Sequence, residues 1–198
     1  MSTEAIHRII EAQVAIRGDD PAIVGPDYDV SYRELNGRAN ALARQLLAAG
    51  LRRCGHGVVT QAPRPDLIVT LLAILKTGAS YSWTRPANSS VDVADNEGLS
   101  IMSAVGGAEQ CRMPLLPRSE EPRPQPNLPV LTRGSDIACV LPGSYSPVLI
   151  PHSTVLALHP NPSVCPVVWK LEEGGIGIWL TLMSGQPVTG SDLYAAAA

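Results

Sequence analysis

Residues 30–50 read VSYRELNGRANALARQLLAAG, and this stretch sets the first long helix of the chain. Ser31 can cap the helix, and Glu34 stands three residues later, where a capping box places its acidic partner. Gly50 follows the last periodic position, as expected of a C-terminal cap. Between these signals the apolar residues recur on one face at helical spacing: Leu35, Ala39, Leu42, Ala43, Leu46 and Leu47. The spacing predicts an amphipathic helix over residues 32 to about 49.

Elements on both sides of this helix alternate between helix and strand. The pattern predicts helix 4–16, a hairpin of strands 22–24 and 30–32, strand 57–61, helix 67–76 capped by Asp66 and ended by Gly78, and strand 79–83. A strand, a helix and a further strand in succession are typical of βαβ units. The predicted fold class is therefore α/β, with a mostly parallel sheet flanked by helices.

The alternation of predicted helices and strands becomes less regular in the second half of the chain. Proline occurs at positions 114, 117, 122, 124, 126 and 129, which excludes a helix and predicts an extended surface linker over residues 117–134. Order resumes in predicted strands 137–141 and 148–150 around a turn at 142–147, helices 152–158 and 176–183, and a last strand 186–189; residues 100–105 are a further strand candidate. The prediction is one domain over residues 1–198, with a tail at 195–198 that has no recognisable chemistry.

Composition and charge exclude several function classes. Lys and Arg total 15 against 18 Asp and Glu, so the formal net charge is −3, and a nucleic-acid partner is not expected. The longest mostly apolar stretch, 67–75, is far shorter than the roughly 20 residues of a membrane span, and the N-terminus does not resemble a secretory signal. We therefore expect no membrane partner and a cytoplasmic location.

Metal-ligand spacing is missing from the cysteines and histidines of the sequence. The residues concerned are Cys54, Cys111, Cys139, Cys165, His7, His56, His152 and His159, and none of them form a CxxC or HxxxH pair. No metal site is predicted, and the thiols are expected to be reduced. His152 lies where a helix is predicted to begin, and we expect a structural role for it.

Several stretches of the chain together carry a family resemblance: residues 30–43, LAILKTGASY at 72–81, DIACV at 136–140, VLIPH at 148–152, and Ile178-Trp179 followed by Ser184-Gly185. They resemble, in order, conserved blocks of the adenylation domains of nonribosomal peptide synthetases, in the acyl/aryl-CoA synthetase and luciferase superfamily. The resemblance implies the N-terminal part of the adenylate-forming fold. It also implies that 136–140 and 148–152 flank the family's ATP-phosphate loop.

The phosphate loop departs most from the family pattern. The family's loop is rich in Gly, Ser and Thr and ends in Pro-Lys-Gly, whereas residues 142–147 here are PGSYSP. The two prolines lack N–H donors, one glycine remains, and the lysine is gone. The resemblance implies that Gly143, Ser144 and Ser146 are remnants of a nucleotide site. A residual contact through the two serines and a shortened turn without a ligand both stay open, and we favour the second.

The amino-acid-binding motif is also altered. The resemblance aligns residues 171–174, LEEG, with a family Phe-Asp-x-Ser in which the aspartate pairs with the substrate ammonium. Glu172 keeps the charge but adds a methylene, which displaces the carboxylate beyond the tolerance of a positioned site. Glu172 is therefore either a remnant substrate-binding residue or a solvated loop carboxylate, and the second is favoured.

These departures lead to two hypotheses. The first is a truncated, catalytically inactive adenylation-like domain that is a structural or docking element in nonribosomal peptide or antibiotic biosynthesis, with no catalytic residue and no cofactor. Its expected partner is a neighbouring synthetase domain, such as a condensation or carrier domain, or a second copy of the chain. The alternative is half of a split ATP-dependent amino-acid or acyl adenylating enzyme completed in trans, which would use ATP and Mg²⁺. Whether the chain is an enzyme stays open at this point.

Overall fold

The computed structural model describes residues 4–25, 28–62, 64–84, 98–102, 109–113, 125–129, 132–159 and 175–189. Their elements, in chain order, are α1 (Ile6–Arg17), β1 (Pro21–Gly25), β2 (Tyr28–Ser31), α2 (Tyr32–Ala48), β3 (His56–Thr60), α3 (Pro65–Thr77), β4 (Ser80–Thr84), β5 (Gly98–Met102), β6 (Glu109–Met113), β7 (Ile137–Leu141), β8 (Val148–Pro151), α4 (His152–Leu158), α5 (Ile176–Met183) and β9 (Val188–Thr189). The predicted α/β class is confirmed.

The described strands form two sheets. The smaller has the order β2-β1-β9, and the larger has the order β6-β5-β3-β4-β7-β8. In the larger sheet β3 and β4 pair in parallel across the crossover helix α3, and β4 pairs in parallel with β7. The pairs β3–β5, β5–β6 and β7–β8 are antiparallel. The predicted βαβ unit is present, and the sheet around it is mixed because the later strands pair as antiparallel neighbours.

Helix α2 begins and ends as its sequence signals predict. The Ser31 hydroxyl accepts a hydrogen bond from the Glu34 N–H at 3.2 Å, and Gly50 adopts a φ of 100° just after the helix. The Glu34 carboxylate lies 3.7 Å from the Arg38 guanidinium, one turn further along the helix. The serine half of the predicted capping box is thus confirmed, and Glu34 forms an i,i+4 ion pair.

Helix α3 is buried from Leu67 to Thr77, which makes it the central layer between α2 and the large sheet. The prediction that Asp66 caps this helix was wrong. The helix begins at Pro65, whose fixed φ suits a first helical position, and Asp66 pairs with Arg38 on α2. The predicted end at Gly78 is confirmed, because this residue has a φ of +81°.

Aromatic side chains connect α5 to distant parts of the core. The Trp179 indole N–H donates to the Tyr81 hydroxyl at 2.7 Å, and both side chains are fully buried. The Tyr32 hydroxyl lies 2.9 Å from the Leu182 carbonyl and 3.1 Å from the Gln186 carbonyl. These contacts seat the C-terminal helix against β4 and the start of α2.

In the second half of the chain, some predicted elements agree with the structure and others do not. The bounds of β7, α4 and α5 agree with the predicted 137–141, 152–158 and 176–183, whereas β5 begins two residues early and β6 had no prediction. The described residues of the predicted 117–134 linker contain no helix or strand, and the rest of it and the 195–198 tail lie outside the described residues. Within the described ranges, none of the helices has both the length and the apolarity that crossing a bilayer requires.

Candidate functional site

Residues 142–147 form the connection between β7 and β8. The two strands are antiparallel, and their pairing ends at Leu141 opposite Val148. Every residue of this turn is exposed, so Gly143, Ser144 and Ser146 are brought together on one solvent-facing loop. The sequence-predicted loop remnant is therefore a short hairpin turn.

The turn closes on itself at Gly143. A Cβ atom at this position would lie 2.1 Å from the Ser146 carbonyl oxygen, well inside any allowed contact. The space beside the glycine is thus filled by the turn's own backbone. A phosphate-binding glycine instead leaves that space to the ligand.

The turn offers few groups to an anion. Its two prolines have no N–H, and it contains no lysine or arginine. An ATP triphosphate is held by convergent N–H groups and a cation in phosphate loops. The residues at 142–147 do not fit that requirement, because the turn is closed, exposed and uncharged.

The same hairpin exposes three apolar side chains around the edge strand β8, which we call the hairpin patch and define as Tyr145, Val148 and Leu149; the last two are consecutive and lie on opposite faces of that strand. Tyr145 is fully exposed, and Val148 and Leu149 are 47% and 56% exposed. Strand β8 is the last strand at one edge of the larger sheet in the described part of the chain. An apolar group of side chains beside a free strand edge is typical of an interaction surface.

An ion pair anchors the base of the hairpin. The Arg53 guanidinium donates two hydrogen bonds of 2.8 Å to the Asp136 carboxylate, which also accepts one from the Arg133 N–H at 2.8 Å. The bond from Arg53 holds the pKa of Asp136 below its ordinary value. The Asp136 carbonyl accepts from the His152 N–H at 3.0 Å, so this aspartate ties β7 to the start of α4.

His152 is fully buried and serves as a backbone acceptor. Its Nδ1 accepts a hydrogen bond from the Ile6 N–H at 3.3 Å, at the open N-terminal end of α1. Burial lowers the pKa of His152 to about 4, so the ring is neutral near pH 7. The geometry agrees with the structural role expected for this histidine.

A buried charge cluster lies beside His152 and was missed by sequence reasoning. Lys76 donates to Glu11 inside the core, where their side chains are only 1% and 5% exposed, and Arg8 reaches the same carboxylate at 2.9 Å. His7 stacks edge to face on His152 with ring centroids 6.2 Å apart, and burial, with help from Lys76, lowers its pKa to about 3. A lysine within the apolar helix α3 was the one available sequence signal, but nothing local identified its partner.

Two sequence predictions receive no structural test. Glu172 and its neighbours at 171–174 lie outside the described residues. Within the described ranges, no three His, Cys, Asp or Glu side chains group in a way that could hold a metal ion.

The sequence of this chain is similar to a known enzyme family and to several large synthetases. Residues 10–100 match the family model described as AMP-binding enzyme. Surfactin synthase subunit 2 from Bacillus subtilis (strain 168) is 29% identical over 178 residues, which cover 82% of this chain and 5% of that protein. Malpibaldin synthetase from Mortierella alpina is 37% identical over 103 residues, which cover 50% of this chain and 2% of that protein. The chain therefore spans a small fraction of the length of these relatives.

Solved structures establish the fold. An artificially fused adenylation-PCP di-domain, NpsA-ThdA from Klebsiella oxytoca, superposes with a TM-score of 0.70 at 21% identity, covering 96% of this chain and 40% of that one. The N-terminal subdomain of Klebsiella oxytoca NpsA, in complex with 3-hydroxyanthranilyl-AMSN, gives 0.65 at 21% identity and covers 94% and 53%. The architecture is that of the N-terminal subdomain of adenylate-forming enzymes.

Fold and sequence likeness agree on one family. Residues 10–100 match the AMP-binding enzyme family, and the chain is similar to the N-terminal portion of the adenylation domains found in nonribosomal peptide synthetases. The resemblance predicted from residues 30–43 and 72–81 is confirmed.

Proposed function

We propose that this chain is a catalytically inactive adenylation-like domain that acts as a structural and docking element in nonribosomal peptide biosynthesis. The closed turn at 142–147 is the observation that carries the proposal. It stands where the resemblance places the family's phosphate loop, between β7 and β8. Without a cation or an open glycine backbone, it cannot hold a triphosphate in position for adenylate transfer.

Nucleotide binding is the direct test. Titration calorimetry with ATP and Mg²⁺ is expected to give no saturable heat at millimolar nucleotide, and amino-acid-dependent pyrophosphate exchange is expected to stay at background. The matched variant is the double substitution Ser144→Ala and Ser146→Ala, which removes the two hydroxyls of the turn. Saturable binding by the natural chain that disappears in this variant would establish the residual-contact interpretation and overturn the inactive one.

The hairpin patch is the proposed docking surface. It is apolar and uncharged, and it borders the edge of β8 that pairs with no strand among the described residues, so a partner can cover both the side chains and the strand edge. Relatives such as surfactin synthase subunit 2 are far longer than this chain, and one matched structure joins an adenylation domain to a PCP domain. We therefore propose a neighbouring condensation or carrier domain as partner, in the cytoplasm, with self-association as the other way to bury the patch.

The docking proposal is tested with charged substitutions. Light scattering after size exclusion measures self-association, and pull-down with purified condensation and carrier domains measures the partner contact. Val148→Glu with Leu149→Lys is expected to abolish whichever association occurs. Ile16→Glu is the control, because Ile16 is 75% exposed and lies on α1, away from the patch. Association that survives the paired β8 substitutions would refute a role for the patch.

A second candidate is half of a split ATP-dependent adenylating enzyme completed in trans. It is motivated by the 53% coverage of a solved N-terminal subdomain, and under this candidate the remaining part of the fold would be supplied in trans. Under this candidate Gly143, Ser144 and Ser146 would contact phosphate, and Glu172 would bind the substrate ammonium. Pyrophosphate exchange that appears only when a polypeptide with the remaining part of the domain is added would support it.

A further inference from the structure

A histidine and two serines form a hydrogen-bonded chain on one face of the larger sheet. His56 is the first residue of β3 and lies opposite Ser80 in the parallel register with β4. Its Nδ1 lies 2.9 Å from the Ser80 hydroxyl, and its Nε2 lies 3.0 Å from the Ser82 hydroxyl. Ser80 and Ser82 are two residues apart on one strand, so both side chains face the same way as the imidazole. We call these three residues the histidine relay.

We assign the hydrogen-bond directions within the relay from one backbone carbonyl. The Ser80 hydroxyl donates to the Gly55 carbonyl oxygen at 3.2 Å. With that hydrogen directed to Gly55, the Ser80 oxygen accepts from His56, and we assign the ring proton to Nδ1. Nε2 is then a lone-pair acceptor, and the Ser82 hydroxyl donates to it. The relay runs from Ser82 through His56 and Ser80 to the Gly55 carbonyl.

This order of groups meets the requirements of an activated nucleophile. A hydroxyl donates to a neutral imidazole, and a third group orients the base from the opposite side of the ring. The ring and both serines are half-buried, so the relay is partly shielded from water and still reachable. Partial burial lowers the pKa of His56, which keeps the imidazole in its basic form near neutral pH.

We propose that Ser82 is a nucleophilic site for small activated acyl or phosphoryl esters, with His56 as its general base and Ser80 as a positioning residue. Val58, opposite Ser82 in the register, provides an apolar neighbour and favours uncharged donors. The site lies outside the turn at 142–147. It does not depend on whether that turn binds nucleotide.

The chemical step balances without a further reactant. The Ser82 oxygen attacks the carbonyl carbon or phosphorus of the donor while its proton moves to Nε2 of His56. The bond from the reacting centre to the leaving group breaks, and the leaving group departs with that electron pair. The imidazolium then releases the proton to solvent or to the leaving group, so His56 returns to its neutral state with Ser82 esterified.

Labelling with a fluorophosphonate ester tests the site on the full chain. We expect a single adduct by intact mass, mapped by peptide sequencing to Ser82, with fluoride as the leaving group. Ser82→Ala should abolish it, and His56→Gln should slow it by roughly 100-fold or more, the range of a positioned general base. Ser80→Ala should slow it about fivefold, as expected for loss of one neutral hydrogen bond. Ser153→Ala, which removes an exposed hydroxyl on α4, should leave the labelling rate unchanged.

A thiol variant provides an independent measurement if His56→Gln fails to fold. Ser82→Cys should react with iodoacetamide about tenfold faster than Ser153→Cys, because a neighbouring imidazole favours the thiolate. Equal rates at the two positions would overturn the proposal. It would also be overturned by fluorophosphonate adducts spread over exposed serines, by the lack of an adduct at Ser82, or by unchanged labelling in folded His56→Gln.

Discussion

Replacing Lys76 with methionine would remove the cation from the buried ion pair at the centre of the fold. The Lys76 side chain is 1% exposed and its partner Glu11 is 5% exposed, so neither charge can recover solvation by a side-chain rotation. Burial lowers the pKa of Lys76, and Glu11 opposes that change. After the substitution Glu11 keeps, among the described residues, the ion pair with Arg8, whose side chain is 46% exposed. Removing one partner of such a pair typically costs about 3–5 kcal/mol.

The loss is large relative to the whole stability of a domain, which is about 5–15 kcal/mol. For a domain of this size each kcal/mol corresponds to roughly 2–4 °C in Tm, so Lys76→Met should melt about 6–20 °C lower. Chemical denaturation followed by circular dichroism gives the free energy of unfolding directly. The double variant Glu11→Leu with Lys76→Met should recover most or all of the lost stability, because an apolar pair needs no desolvation of charge.

The exposed pair of Asp19 and Arg33 is the matched control. Its side chains are 86% and 62% exposed, and Asp19→Asn should leave the unfolding curve unchanged. The reasoning is refuted if Lys76→Met is as stable as the natural chain. It is equally refuted if the double variant loses as much stability as the two single variants added together, since the two charges would then be energetically independent.

Other predictions concern the buried histidines, two glycines and a tyrosine. His7 and His152 have pKa values of about 3 and about 4 against an ordinary 6.5, so the unfolded chain binds more protons below pH 6.5 and stability should fall by about 1.4 kcal/mol per pH unit for each. Urea titrations between pH 7 and 4.5 check this, and a His7→Gln, His152→Gln variant that keeps the same slope would contradict it. Gly143→Ala should lower Tm because its Cβ would lie 2.1 Å from a carbonyl oxygen, whereas Gly37→Ala, with nothing within 4 Å on a helix, should gain up to about 1 kcal/mol. Equal shifts in the two melting curves would refute the closed-turn geometry. Tyr32→Phe should cost about 1–3 kcal/mol in denaturant titrations by leaving two carbonyls without their shared donor, and an unchanged midpoint would show that the hydroxyl bond adds nothing.

Local signals in the sequence predicted local structure well. The Ser31 cap and the glycines at 50 and 78 act within one turn of their own helices, and each was confirmed. Asp66 is not the cap because the helix begins one residue earlier, at Pro65, and the Asp66 carboxylate pairs with Arg38, 28 residues away. No residue near Asp66 in the sequence indicates that it pairs with Arg38. The antiparallel pairing of β5 with β3 and β6 was missed for the same reason.

The same distinction holds for the candidate site: some of its features could be predicted from the sequence, and others could be seen only in the structure. The flanks 136–140 and 148–152 located the turn, and its prolines indicated that donors were missing. The lack of space for a Cβ atom at Gly143, beside the Ser146 carbonyl, could be seen only in the structure. The way a loop closes depends on backbone dihedral angles, which the residue types allow but do not specify. The histidine relay also needed the register of β3 against β4, which turns three scattered polar residues into neighbours.

The seating of Trp179 against Tyr81 has a consequence for biosynthesis. These partners are separated by 98 positions, so all the residues between β4 and α5 must leave the ribosome before the indole can reach the Tyr81 hydroxyl. Until then the Tyr81 side chain, which is 1% exposed in the folded chain, lacks this partner and is open to non-native contacts or to capture by a chaperone. The yield of soluble protein should thus depend on how fast the codons between Tyr81 and Trp179 are translated.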